Sequence, residues 1–220
     1  MPSLPAGVEP LALLLGPLGL AWGLAADRIS ARWPAHEDGS VRKVDWRTLV
    51  VAAFGAAAMA VVPIRFTDPA ERLLFGVFFA SCVLLMATDL DQRLMPNVIT
   101  LPLIVLGAVA LAWGGDSLVS RSVWWTAVLG AVAVPALLYA ASLPFGDGAF
   151  GEGDVKFLVG VGLLTGLIRI VIAVFAAAMV AGVAIFALLA ARRVTLKGYI
   201  PFGPFLIIGV VWSVLLPASS

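Results

Sequence analysis

Apolar residues along this chain come in long runs, with neither the two-residue alternation of a half-buried strand nor the polar stripe of a surface helix. Reading for stretches free of charge gives eight: Pro10 to Ala26, Thr48 to Ile64, Leu73 to Thr88, Val98 to Trp113, Val123 to Leu143, Phe157 to Ile168, Ile170 to Ala191 and Phe202 to Leu216. A hydrocarbon core about 30 Å thick takes roughly 17–25 apolar helical residues, so several of these lie near the short limit. The sixth is below it. It spans only if its helix starts earlier, near Asp154, with Lys156 reaching back to the interface. Gly16, Pro17, Pro135, Gly160, Gly162 and Gly166 fall inside the runs, and small residues there let helices pack closely. The pattern predicts an all-α membrane protein, a polytopic bundle of about eight transmembrane helices. With no linker, low-complexity tract or repeat in view, residues 1–220 read as a single domain whose one sizeable loop is Asp27 to Trp46.

Composition removes the soluble alternatives. Of 220 residues 62% are apolar and 12% charged, against roughly 45–50% and about 25% in an ordinary soluble domain. A net charge of +1 offers no field for phosphates, so nucleic acid is not an expected partner; the lipid bilayer is. One cysteine, Cys82, and one histidine, His36, make neither a disulfide framework nor a zinc site, and no metal is expected.

The basic residues orient the bundle. None precedes the first run, which therefore lacks the basic start of a cleaved signal peptide, and Arg28, Arg32, Arg42, Lys43 and Arg47 follow it. Placing these inside puts the N-terminus outside. Eight alternating spans then assign ten basic residues to the cytoplasm, adding Arg93, Lys156, Arg192, Arg193 and Lys197, against Arg65, Arg72, Arg121 and Arg169 outside. The loop 27–46 is then cytoplasmic, and a solvated, orientation-setting role suits its charges.

Ionisable groups at the edge of an apolar bundle are functional candidates. Asp89 and Asp91 stand at the end of the third run, followed by Pro96 and Asn97; Asn97 could equally cap the fourth helix. Asp147, Gly151, Glu152, Gly153, Asp154 and Lys156 precede the sixth run. As a string G-x-G-D is weak, since chance supplies it in about one such sequence in ten. The derived topology, however, puts both acidic segments at helix ends on one face. Two carboxylates held together cannot both ionise cheaply, so one keeps a proton while the other acts as a base toward water. No G-x-S-x-G or H-E-x-x-H competes. A third segment, Lys197 to Phe205, is a Pro/Gly-rich lead into the last run.

In order and spacing, Asp89-Leu-Asp-Gln-Arg-Leu-Met-Pro-Asn97, Gly151-Glu-Gly-Asp-Val-Lys-Phe157 and Ile200-Pro-Phe-Gly-Pro-Phe205 resemble three motifs of the type IV prepilin peptidase family, membrane aspartic proteases of the G-x-G-D kind. The resemblance implies a hydrolase of the inner membrane that cleaves the short basic leader of prepilins or pseudopilins at the cytoplasmic face, serving type IV pili or secretion. It puts the catalytic pair on Asp89 and Asp154, with Gly151, Gly153, Lys156, Pro96 and Asn97 supporting them or the substrate. Asp91 and Asp147 do not coincide with the pair and read as loop charges or leader contacts. Glu37 and Asp38 read as loop charges too. Bifunctional members carry two C-x-x-C pairs between the first two spans and methylate the product with S-adenosylmethionine; this chain lacks those cysteines, so no cofactor is expected unless methylation is retained. The competing readings are another G-x-G-D protease acting on signal peptides and a small proton- or ion-coupled transporter. Oligomeric state is left open by the sequence.

Overall fold

The computed structural model describes residues 9–36, 39–113, 123–145, 150–192 and 201–216. Among them are seven α-helices and no strand: α1 Glu9–Ser30, α2 Trp46–Arg65, α3 Pro69–Gln92, α4 Asn97–Trp113, α5 Trp124–Ser142, α6 Glu152–Ala190 and α7 Gly203–Leu215. Five are long and apolar enough to cross a membrane, and α4 and α7 are shorter apolar helices. The protein is an all-α membrane bundle, as the runs predict.

Eight runs become seven helices because the sixth and seventh are joined. The 39 residues of α6 are two helical pieces meeting at Gly166, whose φ of 79° and ψ of 172° interrupt the helix. The charge pattern puts that division at Arg169. Instead Arg169 stays in the helix, buried, and donates from Nη1 to the carbonyls of Ser213 at 2.5 Å and Leu216 at 3.1 Å. A cation at the C-terminal end of α7 satisfies carbonyls that have no partner within that helix. The first piece also starts early, at Glu152, as its length required. The backbone at Gly166 is closed to residues with a Cβ, so Gly166→Ala is expected to cost about 1–3 kcal/mol, read as a lower melting temperature in detergent.

The chain divides into two compact units, Met1–Ile99 and Thr100–Ser220. In the first, α1 and α2 meet through glycines: a Cβ on Gly19 would overlap the Gly55 carbonyl, and one on Gly23 would come within 2.5 Å of the Val51 carbonyl. Trp22 ties α1 to α3, its indole N–H donating to the Ala80 carbonyl at 2.9 Å. Phe66 stacks on Phe75 with ring centroids 4.0 Å apart, and Phe78 and Phe79 complete a buried aromatic cluster beside them. At the start of α3, Asp68 caps the N–H groups of Ala70 and Glu71, with Pro69 in the first turn.

In the second unit α6 packs against α5 and α7. A Cβ on Gly107 of α4 would stand 2.7 Å from the Gly160 carbonyl, and one on Gly162 would overlap the backbone of Ala131 in α5. Dispersion needs such close contact when lipid gives no hydrophobic drive between helices. Gly55→Ala should accordingly lower the melting temperature by an amount corresponding to about 1–3 kcal/mol, the usual cost of overpacking. Gly76→Ala, where nothing lies within 4 Å of the added methyl, should leave it unchanged or slightly raised.

Candidate active site

Two helix ends carry the candidate residues, one in each unit. In the first unit α3 runs to Gln92 and stops at Arg93, which takes a left-handed conformation, φ 57° and ψ 39°. That turn lets the Arg93 N–H donate to the Asp89 carbonyl at 2.9 Å. Asp89 is therefore in the last turn of α3, and its side chain is buried with the residue 6% exposed. Three residues beyond Arg93 the Pro96 carbonyl accepts from the Ile99 N–H at 2.9 Å and α4 begins. Asn97 is the first helical residue of α4, so Pro96 occupies the place before it.

Around the same turn the structure bears out the exposed reading for much of the loop 27–46 and corrects it at Asp27 and at Arg42, which is largely covered. Helix α1 continues through Ser30, so Asp27 and Arg28 are in its last turn, and Asp27 is wholly buried. Its carboxylate accepts from Arg28 Nε and Thr48 Oγ1, at 2.9 and 2.8 Å, and pairs with Arg42. Arg42 also pairs with Asp45 and Asp91, each at 2.6 Å. Burial works against the charge on Arg42, but the hydrogen bond and field of Asp27, with the fields of Asp91 and Asp45, outweigh it and raise its pKa further. Asp45 is also the N-cap of α2, in a capping box with Thr48. Asp91, expected as a loop charge, is 1% exposed at its side chain, with Arg47 and His36 each 3.3 Å away. The signal available in the sequence was the same at Asp27 as at Asp89: a carboxylate directly after an apolar run.

In the second unit Gly151 precedes α6, and Asp154 is the third residue of the helix. The Asp154 carboxylate accepts a hydrogen bond from the Gly151 backbone N–H, the side-chain half of a capping box. Its Oδ1 atom is buried and has no hydrogen-bond partner among the described residues. Gly151 has a steric reason to be glycine: a Cβ there would sit 3.1 Å from Asp154 Oδ2 and press on the carboxylate. Gly153 is the second residue of the helix. Lys156 pairs with exposed Glu152 at 3.2 Å, one turn back. Phe202, just before α7, sets its ring 6.3 Å from that of Phe150, so the second and third sequence segments meet beside the start of α6. Glu37, Asp38, Asp147 and residues 193–200, with Arg193 and Lys197 among them, lie outside the described residues.

Each unit thus carries a buried or half-buried carboxylate at a helix end, and comparison with known proteins covers the segment that holds both. The sequence model of the type IV leader peptidase family matches residues 76–188, a segment containing both aspartates. The chain is 30% identical over 166 residues to a prepilin leader peptidase/N-methyltransferase of Burkholderia pseudomallei (strain 1026b), covering 73% of this chain and 52% of that protein. It is 30% identical over 162 residues to the protein of that name from Dichelobacter nodosus, covering 74% and 55%. With the one from Stutzerimonas stutzeri it shares 29% over 135 residues, 60% of this chain and 46% of that protein. No solved structure matches the chain. The chain spans about half the length of these curated relatives. Since the family pattern runs through more than half of its residues and through both acidic helix ends, this chain belongs to the type IV leader peptidase family.

Proposed function

We propose that the protein is an intramembrane aspartic endopeptidase that removes the short basic leader of type IV prepilins or pseudopilins at the cytoplasmic face of the inner membrane. Asp89 and Asp154 form its catalytic pair. They share one proton: the ionised carboxylate takes a proton from the attacking water while the protonated one gives its proton to the carbonyl oxygen of the scissile bond. The tetrahedral intermediate then collapses. The carboxyl that gained the water's proton passes it to the departing amine, and the other recovers its own from the hydroxyl, which restores the starting state. The apolar surroundings separate the two titrations of the pair. Leader peptide approaches from the water while the apolar start of the mature pilin helix packs among the spans.

The observation that carries this reading is the setting of the two aspartates within the matched segment. Asp89 is buried in a terminal helical turn, and Asp154 is held by the Gly151 N–H with Oδ1 unpartnered among the described residues. Gly151 gives the Asp154 carboxylate room, and Pro96 and Asn97 fix the chain beyond Asp89. The relatives' names include N-methyltransferase; for this chain we propose cleavage alone, with no S-adenosylmethionine. The test is co-expression with a prepilin that carries its leader, followed as a mass shift. A product shorter by the leader, with an unmethylated N-terminus, is the expected result. Intact prepilin beside a well-folded, membrane-inserted enzyme would overturn the reading.

A further inference from the structure

Beyond the catalytic pair, we infer that Arg42 and Asp91 are positioning residues: through one guanidinium they lock the terminal turn of α3, and so the backbone of Asp89, to the ends of α1 and α2. The inference rests on the reading of Asp89 as catalytic. A helix end lacks intrahelical partners for its last carbonyls and frays unless it is tied down. The end of α3 is tied twice. Asp91 pairs with Arg42 Nε at 2.6 Å, Arg47 Nη1 at 3.3 Å and His36 Nε2 at 3.3 Å, and Gln92 Nε2 donates to the carbonyls of Pro34 at 2.6 Å and Ser30 at 3.3 Å.

Arg42 is the joint of this arrangement. Its other two nitrogens go to Asp27 in the last turn of α1 and to Asp45 at the N-cap of α2. A planar guanidinium holds its donors in a fixed fork: here Nη2 and Nη1 donate to Asp27 and Asp45 while Nε faces Asp91 as an ion-pair contact only, an arrangement an ammonium cannot reproduce. The cluster is also closed in charge: Arg28, Arg42 and Arg47 face Asp27, Asp45 and Asp91, three against three. His36 adds a fourth group beside Asp91, and the contacts join residues of three helix ends, so a mechanical role is what the geometry supports. Residues 89 and 91 are roughly 200° apart around the helix. The clamp therefore grips one side of the turn and leaves the Asp89 carboxyl on the other.

Purified full-length protein in detergent tests this with Asp91→Asn, with Arg42→Lys in case the first variant folds poorly, and with Asp68→Ala as the control. Asp68 caps the far end of the same helix, so its loss weakens α3 without touching the clamp. Both clamp variants are expected to lower kcat for leader cleavage about tenfold to a hundredfold, with KM within about twofold, because a small misplacement of a reacting group acts on the chemical step. Amide hydrogen exchange over residues 88–94 should rise at least about tenfold in the same variants. Asp68→Ala should lower the melting temperature and leave kcat alone. Unchanged exchange, unchanged kcat, or an equal fall of kcat in Asp68→Ala would each overturn the inference. Failure of the functional reading shows elsewhere, as wild-type protein that cleaves no leader, and it takes the catalytic role of the clamp with it.

Discussion

Asp89→Asn and Asp154→Asn are each expected to reduce leader cleavage at least about a thousandfold, with the double variant no worse than either single one. The size follows from the chemistry. A positioned acid or base contributes about 10²–10⁴-fold, and residues that act as one unit lose their joint contribution when either is removed. Stability should hardly move. Asparagine keeps the size and shape of the buried Asp89 side chain, and the amide introduced by Asp154→Asn keeps an oxygen to accept from the Gly151 N–H. The decisive comparison is the initial rate on a leader-bearing prepilin, normalised to protein that elutes as a single folded species. A rate within tenfold of wild type in either variant would remove that residue from the chemistry. Loss of rate together with loss of the folded species would point to a structural carboxylate instead.

These aspartates could be singled out as candidates without coordinates because lipid makes charges conspicuous. In a chain with 12% charged residues, a carboxylate closing an apolar run stands out, and the spacing of Asp89 to Pro96 and of Gly151 to Asp154 did the rest. The helices were legible for the same reason, since a spanning segment must satisfy its backbone internally. Where the reading failed, a long-range partner was responsible. Ending a span at its first charge put the break of α6 at Arg169, but the carbonyls of Ser213 and Leu216 let that charge remain inside and the break fell at Gly166. The same rule ended the first span at Ala26, but Arg42, fifteen residues on, neutralises Asp27 and lets α1 run to Ser30. Asp91 looked like a loop charge because the groups that bury it, Arg42, Arg47 and His36, come from more than forty residues earlier. The approach of Phe150 to Phe202 is of this kind too.

Asp27→Ala should be the most destabilising single change among the charged residues of the first unit, costing about 3–5 kcal/mol. Asp27 has no exposed surface, and its two oxygens answer Arg28, Arg42 and Thr48 together. Taking it away leaves Arg42, 12% exposed at its side chain, with a charge meant for three carboxylates and only two to meet it. With one of three carboxylates gone the desolvation of Arg42 is offset only in part, so the loss exceeds what the intact pair contributes. The exposed pair of Lys156 and Glu152 gives the contrast: solvent already screens it, so Glu152→Gln should move the melting temperature very little. If the cost at Asp27 comes from the stranded cation, removing that cation as well must return part of it. Asp27→Ala combined with Arg42→Met is therefore expected to be more stable than Asp27→Ala alone, by about 0.5–3 kcal/mol in a double-mutant cycle. Cleavage should not return with the stability, since the methionine gives Asp91 no charge to hold and the turn that carries Asp89 stays loose. A double variant less stable than Asp27→Ala would mean that packing of the Arg42 stem, rather than its charge, holds the three helix ends together.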